Sequence, residues 1–167
     1  MLGWAAAVVV LAGCASPEGA LEQAETSTPP TLAAPSDPVT SPEEPALEAY
    51  TGMMGAVVEA SLEGAEDHPD LDRYARGQAL ELTTDMLDGA TAIGEPTLYP
   101  EATDIDLESD PATVVVEDCM DNTAWVLEGY SPRDVSDDSS RLYTATVTQV
   151  GDEWLVEELW AGEPNGC

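Results

Sequence analysis

Lysine is absent from this chain of 167 residues, and phenylalanine with it. The basic side chains are four arginines, Arg73, Arg76, Arg133 and Arg141, set against 34 acidic residues and a single histidine, His68. A formal charge of −30 argues against nucleic acid and anionic lipid surfaces as partners, because counterion release needs clustered cations. Cations and basic protein patches are the favoured partners, although the same charge also keeps a protein soluble. With one histidine and no C-x-x-C pair there is no basis for a zinc site. A G-x-S-x-G elbow, a phosphate-cradling glycine loop, H-E-x-x-H and an EF-hand loop are likewise missing. The sequence therefore assigns no metal and no cofactor.

A long apolar run is missing too. Residues 2–12 are uncharged and mostly apolar, but such a stretch is too short to cross about 30 Å of hydrocarbon as a helix. It ends in Leu11-Ala12-Gly13-Cys14, which resembles the bacterial lipobox. That resemblance implies a signal peptide over residues 1–13, removed on export, and a diacylglycerol on the Cys14 thiol. Met1-Leu2-Gly3-Trp4 carries no Lys or Arg, so the leader departs from the usual basic start. Acyl chains contribute roughly 0.8 kcal/mol per buried CH₂, and two or three of them anchor stably. The expected location is the extracytoplasmic face of a cell membrane, an oxidising compartment.

Residues 14–45 hold seven of the 13 prolines, many Ser and Thr, and six acids without a base. Such a segment buries too little apolar surface to offset its ordering entropy and reads as a tether. A single domain over residues 46–167 follows. Leu47, Tyr50, Met54, Val57 and Leu62 recur near helical spacing over 46–63, with Glu43, Glu44 and Glu48 where a helix start favours negative charge. After a loop at 64–69, a second helix is expected from Asp70 to about Asp88. Leu71, Tyr74, Gln78, Leu82 and Met86 share one face, and Gly89 is the expected cap.

Beyond Gly94 the period becomes two. Strands are expected at 97–107, interrupted by Pro100, and at 112–119, 124–130, 141–150 and 153–160, with Gly151-Asp152 as a type II′ hairpin loop. Helices followed by a four- to five-stranded antiparallel sheet make an α+β layer fold, with the helices on one curved, cone-like face.

With Cys14 acylated, Cys119 and Cys167 remain, and only one disulfide is possible. It closes a loop of about 50 residues, worth roughly 4 kcal/mol in the chain-entropy model. The competing reading, a catalytic thiol, needs a base, and His68 lies far along the chain. Asp104, Asp106, Glu108 and Asp110 alternate, so on a strand they would share a solvated face while Ile105 and Leu107 point inward. Weak calcium binding is the other reading of these acids, and of Asp134, Asp137 and Asp138. In Glu117-Asp118-Cys119-Met120-Asp121, Val114, Val116 and Asp118 would face one way and Thr113, Val115, Glu117 and Cys119 the other. A half-buried Asp118 or Asp121 is the candidate general base, although an acid before Asn122 more often bonds a turn. The aromatics Tyr50, Tyr74, Trp125 and Trp160 are core residues or the lining of a pocket between helices and sheet.

From Asp70-Leu71, Arg73-Tyr74-Ala75 and Gly77, through Gly94-Glu95-Pro96, Val116–Asp121 and Glu153–Val156, to Gly166-Cys167, the chain resembles uncharacterised actinobacterial secreted lipoproteins with a nuclear transport factor 2-like (SnoaL-like) domain. The resemblance implies helices packed into a curved antiparallel sheet around a pocket. That group holds isomerases, cyclases and non-enzymatic partners, and no active site carries over residue by residue. Two functions are expected. The first is a non-enzymatic module for a small apolar ligand or an envelope protein partner. The second is a ketosteroid-isomerase- or cyclase-like enzyme with a pocket Asp as base.

Overall fold

The computed structural model describes residues 41–128 and 140–167. Residues 14–40, including Cys14, the loop acids Asp134, Asp137 and Asp138, and the expected strand beyond Glu128 lie outside the described residues, as does the leader.

The first helix, α1, runs Glu43–Glu63 with Glu43 and Glu44 in its first turn, so the last residues assigned to the tether are helical. It ends where Gly64 N–H and Ala65 N–H donate to the carbonyls of Ser61 and Ala60, a Schellman cap. Two adjoining stripes are buried, Ala46, Ala49, Met53, Ala56 and Ala60 beside Tyr50, Met54, Val57 and Ser61. The small side chains let the helix lie close on what it covers. Leu62, expected to face inward, is exposed, because the buried arc turns toward the alanines, which a search for large apolar residues passes over.

The single helix expected over 70–88 is broken. A one-turn helix α2, Leu71–Tyr74, and α3, Gly77–Leu87, are separated by Ala75 and Arg76 in extended conformation. The break is made by long-range hydrogen bonds. Ala75 bridges Val156 in parallel, and Arg76 N–H donates to the Val156 carbonyl at 2.9 Å. Gly77 then takes φ +56°, a turn that glycine adopts without Cβ strain.

Strands β1 (Thr91–Ile93), β2 (Pro100–Asp106), β3 (Thr113–Asp121), β4 (Val126–Glu128), β5 (Ser140–Val150) and β6 (Glu153–Pro164) follow. β1 and β4 form a two-stranded ribbon, and the main antiparallel sheet has the order β2-β3-β5-β6. The expected α+β architecture holds: helices pack on a four-stranded sheet that is curved and not closed. α1 touches all four strands. Val114, Val116, Met120, Tyr143, Ala145, Val147, Val156 and Leu159 are the sheet's share of the core. Gly151 at φ +65° carries the only positive φ of the β5–β6 loop, as a type II′ turn requires.

Pro100 does not interrupt a strand but begins one, on an edge where its missing N–H costs nothing. A bulge between Ala102 and Asp104 and the charges of Glu101, Asp104 and Asp106 blunt that edge. The run of four acids is correspondingly shorter than expected. Asp106 accepts the N–H groups of Glu108 and Ser109 at 3.0 Å each, turning the chain so that Glu108 and Asp110 leave the strand. Ile105 and Leu107, expected inside, lie at the sheet's end and are exposed.

The opposite edge, β6, is covered by the segment after the helix break. Gln78 donates to the Leu159 carbonyl at 3.0 Å and accepts Leu159 N–H at 2.7 Å. Arg76 reaches Glu157 at 2.8 Å.

Two glycines of α1 separate packing from freedom. A Cβ at Gly52 would lie 2.5 to 2.7 Å from the Tyr74 ring, whereas one at Gly55 would meet nothing within 4 Å. Gly52→Ala is therefore expected to cost about 1–3 kcal/mol through overpacking. Gly55→Ala should gain about 0.5–1 kcal/mol through helix propensity. Urea unfolding of the two variants beside the parent decides this, and equal effects would refute the Tyr74 contact.

Candidate functional site

β3 alternates as its sequence predicts, with Val114, Val116, Asp118 and Met120 buried. This places one carboxylate, Asp118, wholly inside at 0% exposure. Tyr50 on α1 donates its hydroxyl to Asp118 Oδ2 at 2.9 Å. The Tyr99 backbone N–H, just before β2, donates to Oδ1 at 2.7 Å. Both carboxylate oxygens thus have donors, and the side chain joins the helix to two strands.

Burial raises the Asp118 carboxyl above its ordinary range, and the bonds from Tyr99 and Tyr50 pull it part of the way back. Burial, and after it the charge of Asp118, push the Tyr50 phenol far above its ordinary value. At neutral pH Tyr50 is therefore a fixed proton donor.

Asp121, the other candidate base, is three residues along and therefore on the opposite face of the strand. Its Oδ1 accepts Thr123 N–H at 2.9 Å, and bonds from Thr123 side chain and backbone lower its carboxyl. Preceding Asn122, it closes the turn that runs on to Thr123, as an acid at such a position commonly does. The two acids do not converge on one site.

The four candidate pocket aromatics are similarly dispersed. Tyr50 is at 0% exposure and Trp125 at 6%, with the Trp125 indole N–H donating to Ser61 Oγ at 3.3 Å. Tyr74 packs over Gly52, and the Arg73 guanidinium lies 5.4 Å from its ring centre, within cation–π range. Trp160 is 60% exposed, paired with Thr144 on the sheet face away from the core. It lines no pocket with the others, because β6 carries a bulge near Glu157 that sets which of its side chains turn outward.

Cys119 and Cys167 form the expected disulfide, with Cα atoms 5.9 Å apart. It ties the chain end to β3, while Asn165 N–H donates to the Ser140 carbonyl at 2.8 Å. Neither thiol is free to act as a nucleophile. Among the described residues, no three His, Cys, Asp or Glu side chains are grouped to hold a metal ion, and no helix is long and apolar enough to cross a membrane.

The residues that sequence reasoning passed over are Tyr99 and Gln78. Tyr99 acts through its backbone, which carries no residue-type signal. Gln78 lies on the apolar face of the expected helix, where a lone amide is itself the hint of a backbone partner.

No family model and no curated protein matches the chain. Among solved structures, it is similar to the intermembrane space region of the chloroplast protein ARC6, at 16% identity and a TM-score of 0.37, over 70% of this chain and 95% of that one. A likeness of that size carries no argument about either protein.

Because burial raises the Asp118 carboxyl, its stability contribution is fully present below the unfolded value of about 4 and is lost as pH rises through the folded value. The 34 acids also titrate, so the informative quantity is the difference between the parent and Asp118→Asn. That variant can accept from Tyr99 N–H and donate to the Tyr50 oxygen, and should lie within about 1 kcal/mol of the parent at pH 8. The parent should gain on it as pH falls to 5. Asp118→Ala strands both donors and should cost roughly 2–5 kcal/mol. A parent–Asn difference that does not change with pH would contradict the raised carboxyl.

Proposed function

We propose that this chain is a lipid-tethered, extracytoplasmic, non-enzymatic module that binds a protein partner of the cell envelope through its surface. Cys14 is its anchor, residues 14–42 its tether, and the α+β domain its working part. The observation that carries the reading is the closed environment of Asp118. The carboxylate that an isomerase or cyclase would use as base has both oxygens occupied. Tyr50, Met53, Met54, Met120 and Leu159 of the surrounding core are fully buried. A small apolar ligand would need that volume.

Two further observations support the reading. The Cys119–Cys167 disulfide suits an oxidising compartment. A helix across a curved, open antiparallel sheet agrees with the resemblance to nuclear transport factor 2-like lipoproteins. A partner rather than a free cation is favoured because the described carboxylates form no cluster of metal-binding geometry. The raised carboxyl of Asp118 is the one observation that favours the enzyme reading, in which Tyr50 would have to swing aside to admit substrate.

Native mass spectrometry of the full chain, purified gently from its own cells, tests the two together. The expected species is acylated protein with no further mass, and Cys14→Ala should move the protein from membrane to soluble fractions. A reproducible additional small molecule would replace the module reading with a pocket. Unchanged membrane association in the Cys14 variant would remove the anchor.

A further inference from the structure

The exposed stripe of α1 runs through Glu48, Gly55, Glu59 and Leu62. Gly55 is a residue that the fold does not call for. Glycine in a helix interior costs roughly 1 kcal/mol against alanine. Here a Cβ would touch nothing within 4 Å, and φ is not among the positive values. Gly52, one turn earlier, is explained by the Tyr74 ring, while Gly55 is explained by nothing inside the molecule. What its missing side chain leaves is access.

Gly55, Val58 and Glu59 form one wall of an open groove of about 240 Å³, and Glu95, Pro96 and Leu98, between β1 and β2, form the other. The apolar part is Val58, Pro96 and Leu98, and both charged groups are carboxylates. The Glu59 side chain is 72% exposed and meets His68 Nε2 at 3.2 Å. Two residues before Glu95, Ile93 is 63% exposed and faces Val126, itself 56% exposed, across the ribbon. The groove is thus an apolar trough bordered by negative charge, beside further exposed apolar surface.

We propose that this groove docks a basic segment of a protein partner, with the stem of one Arg or Lys over Val58 and Leu98 and its cationic head at Glu59 and Glu95. This deepens the module reading above and rests on it. The charge of the groove and of the whole chain selects a cation. The amphipathic trough matches side chains that bury an apolar stem and keep the charge wet. Small-molecule sites usually offer about 300–1,000 Å³ and enclose most of the ligand, whereas this trough is smaller and open. A side chain held by its own backbone does not need enclosure, and Gly55 lets that backbone approach the helix.

The test is a titration of the ¹⁵N-labelled full chain, carrying Cys14→Ala, with the peptide Ac-Leu-Arg-Leu-Arg-NH₂. Saturable shifts are expected at the amides of Gly55, Glu59 and Leu98. Gly55→Trp fills the trough without entering the core and should weaken binding at least about tenfold while the remaining spectrum stays in place. Glu59→Gln with Glu95→Gln should weaken it by about fivefold or more. Shifts spread over the acidic surface and indifferent to Gly55→Trp would overturn the proposal. So would arginine ethyl ester saturating the groove as tightly as the peptide, which would make the occupant a small organic cation.

Photo-cross-linking residues at Thr97, between the groove residues Pro96 and Leu98, and at Glu158, on the far sheet face, separate this inference from the module reading in intact cells. A protein adduct at Thr97 that Gly55→Trp abolishes upholds both. An adduct at Glu158 alone overturns the groove and leaves the module. Adducts at neither overturn both.

Discussion

A carboxylate in a protein interior has to be answered by donors, and the answer given to Asp118 organises this fold. Its two oxygens are held by the Tyr50 hydroxyl and the Tyr99 N–H, so one side chain fixes the helix α1 on the sheet and sets where the chain enters β2. An unpaired carboxylate in that place would cost several kcal/mol. The pairing therefore specifies a unique register between helix and sheet, where the many alanines and valines around it would tolerate sliding.

With α1 fixed, the two edges of the sheet remain to be managed. β2 protects itself by composition, with Pro100, a bulge and acidic side chains. β6 is protected by the break between α2 and α3 and the first turn of α3, where Ala75, Arg76 and Gln78 supply backbone and amide partners to Val156 and Leu159. The disulfide then ties the chain end to β3, restraining the unfolded chain more than it adds contacts to the folded one. These devices suit a domain whose surface charge works against compactness.

That charge also bears on function. A strongly anionic surface steers basic partners by long-range attraction, but it gives little specificity until an apolar contact fixes position. The groove beside Gly55 combines both features on a described surface, whereas the interior is committed to packing and to the Asp118 pairing.

The sequence alone carried the layer order, helices then antiparallel strands, the alternation along β3 that puts one acid near a buried face, the hairpin at Gly151, and the pairing of Cys119 with Cys167. These are local or combinatorial properties: side-chain period, turn chemistry and cysteine arithmetic need no knowledge of what lies across the molecule. Only the tertiary structure decided that the helix expected over 70–88 breaks at Ala75, that Trp160 faces solvent, and that Leu62 and Leu107 stay outside. It alone brought Tyr50 and Tyr99 to Asp118 across 68 and 19 residues of chain. The helix break and the Asp118 pairing depend on hydrogen bonds from distant elements. The others depend on how a helix or strand is seated on its neighbours, of which periodicity along one segment carries no record.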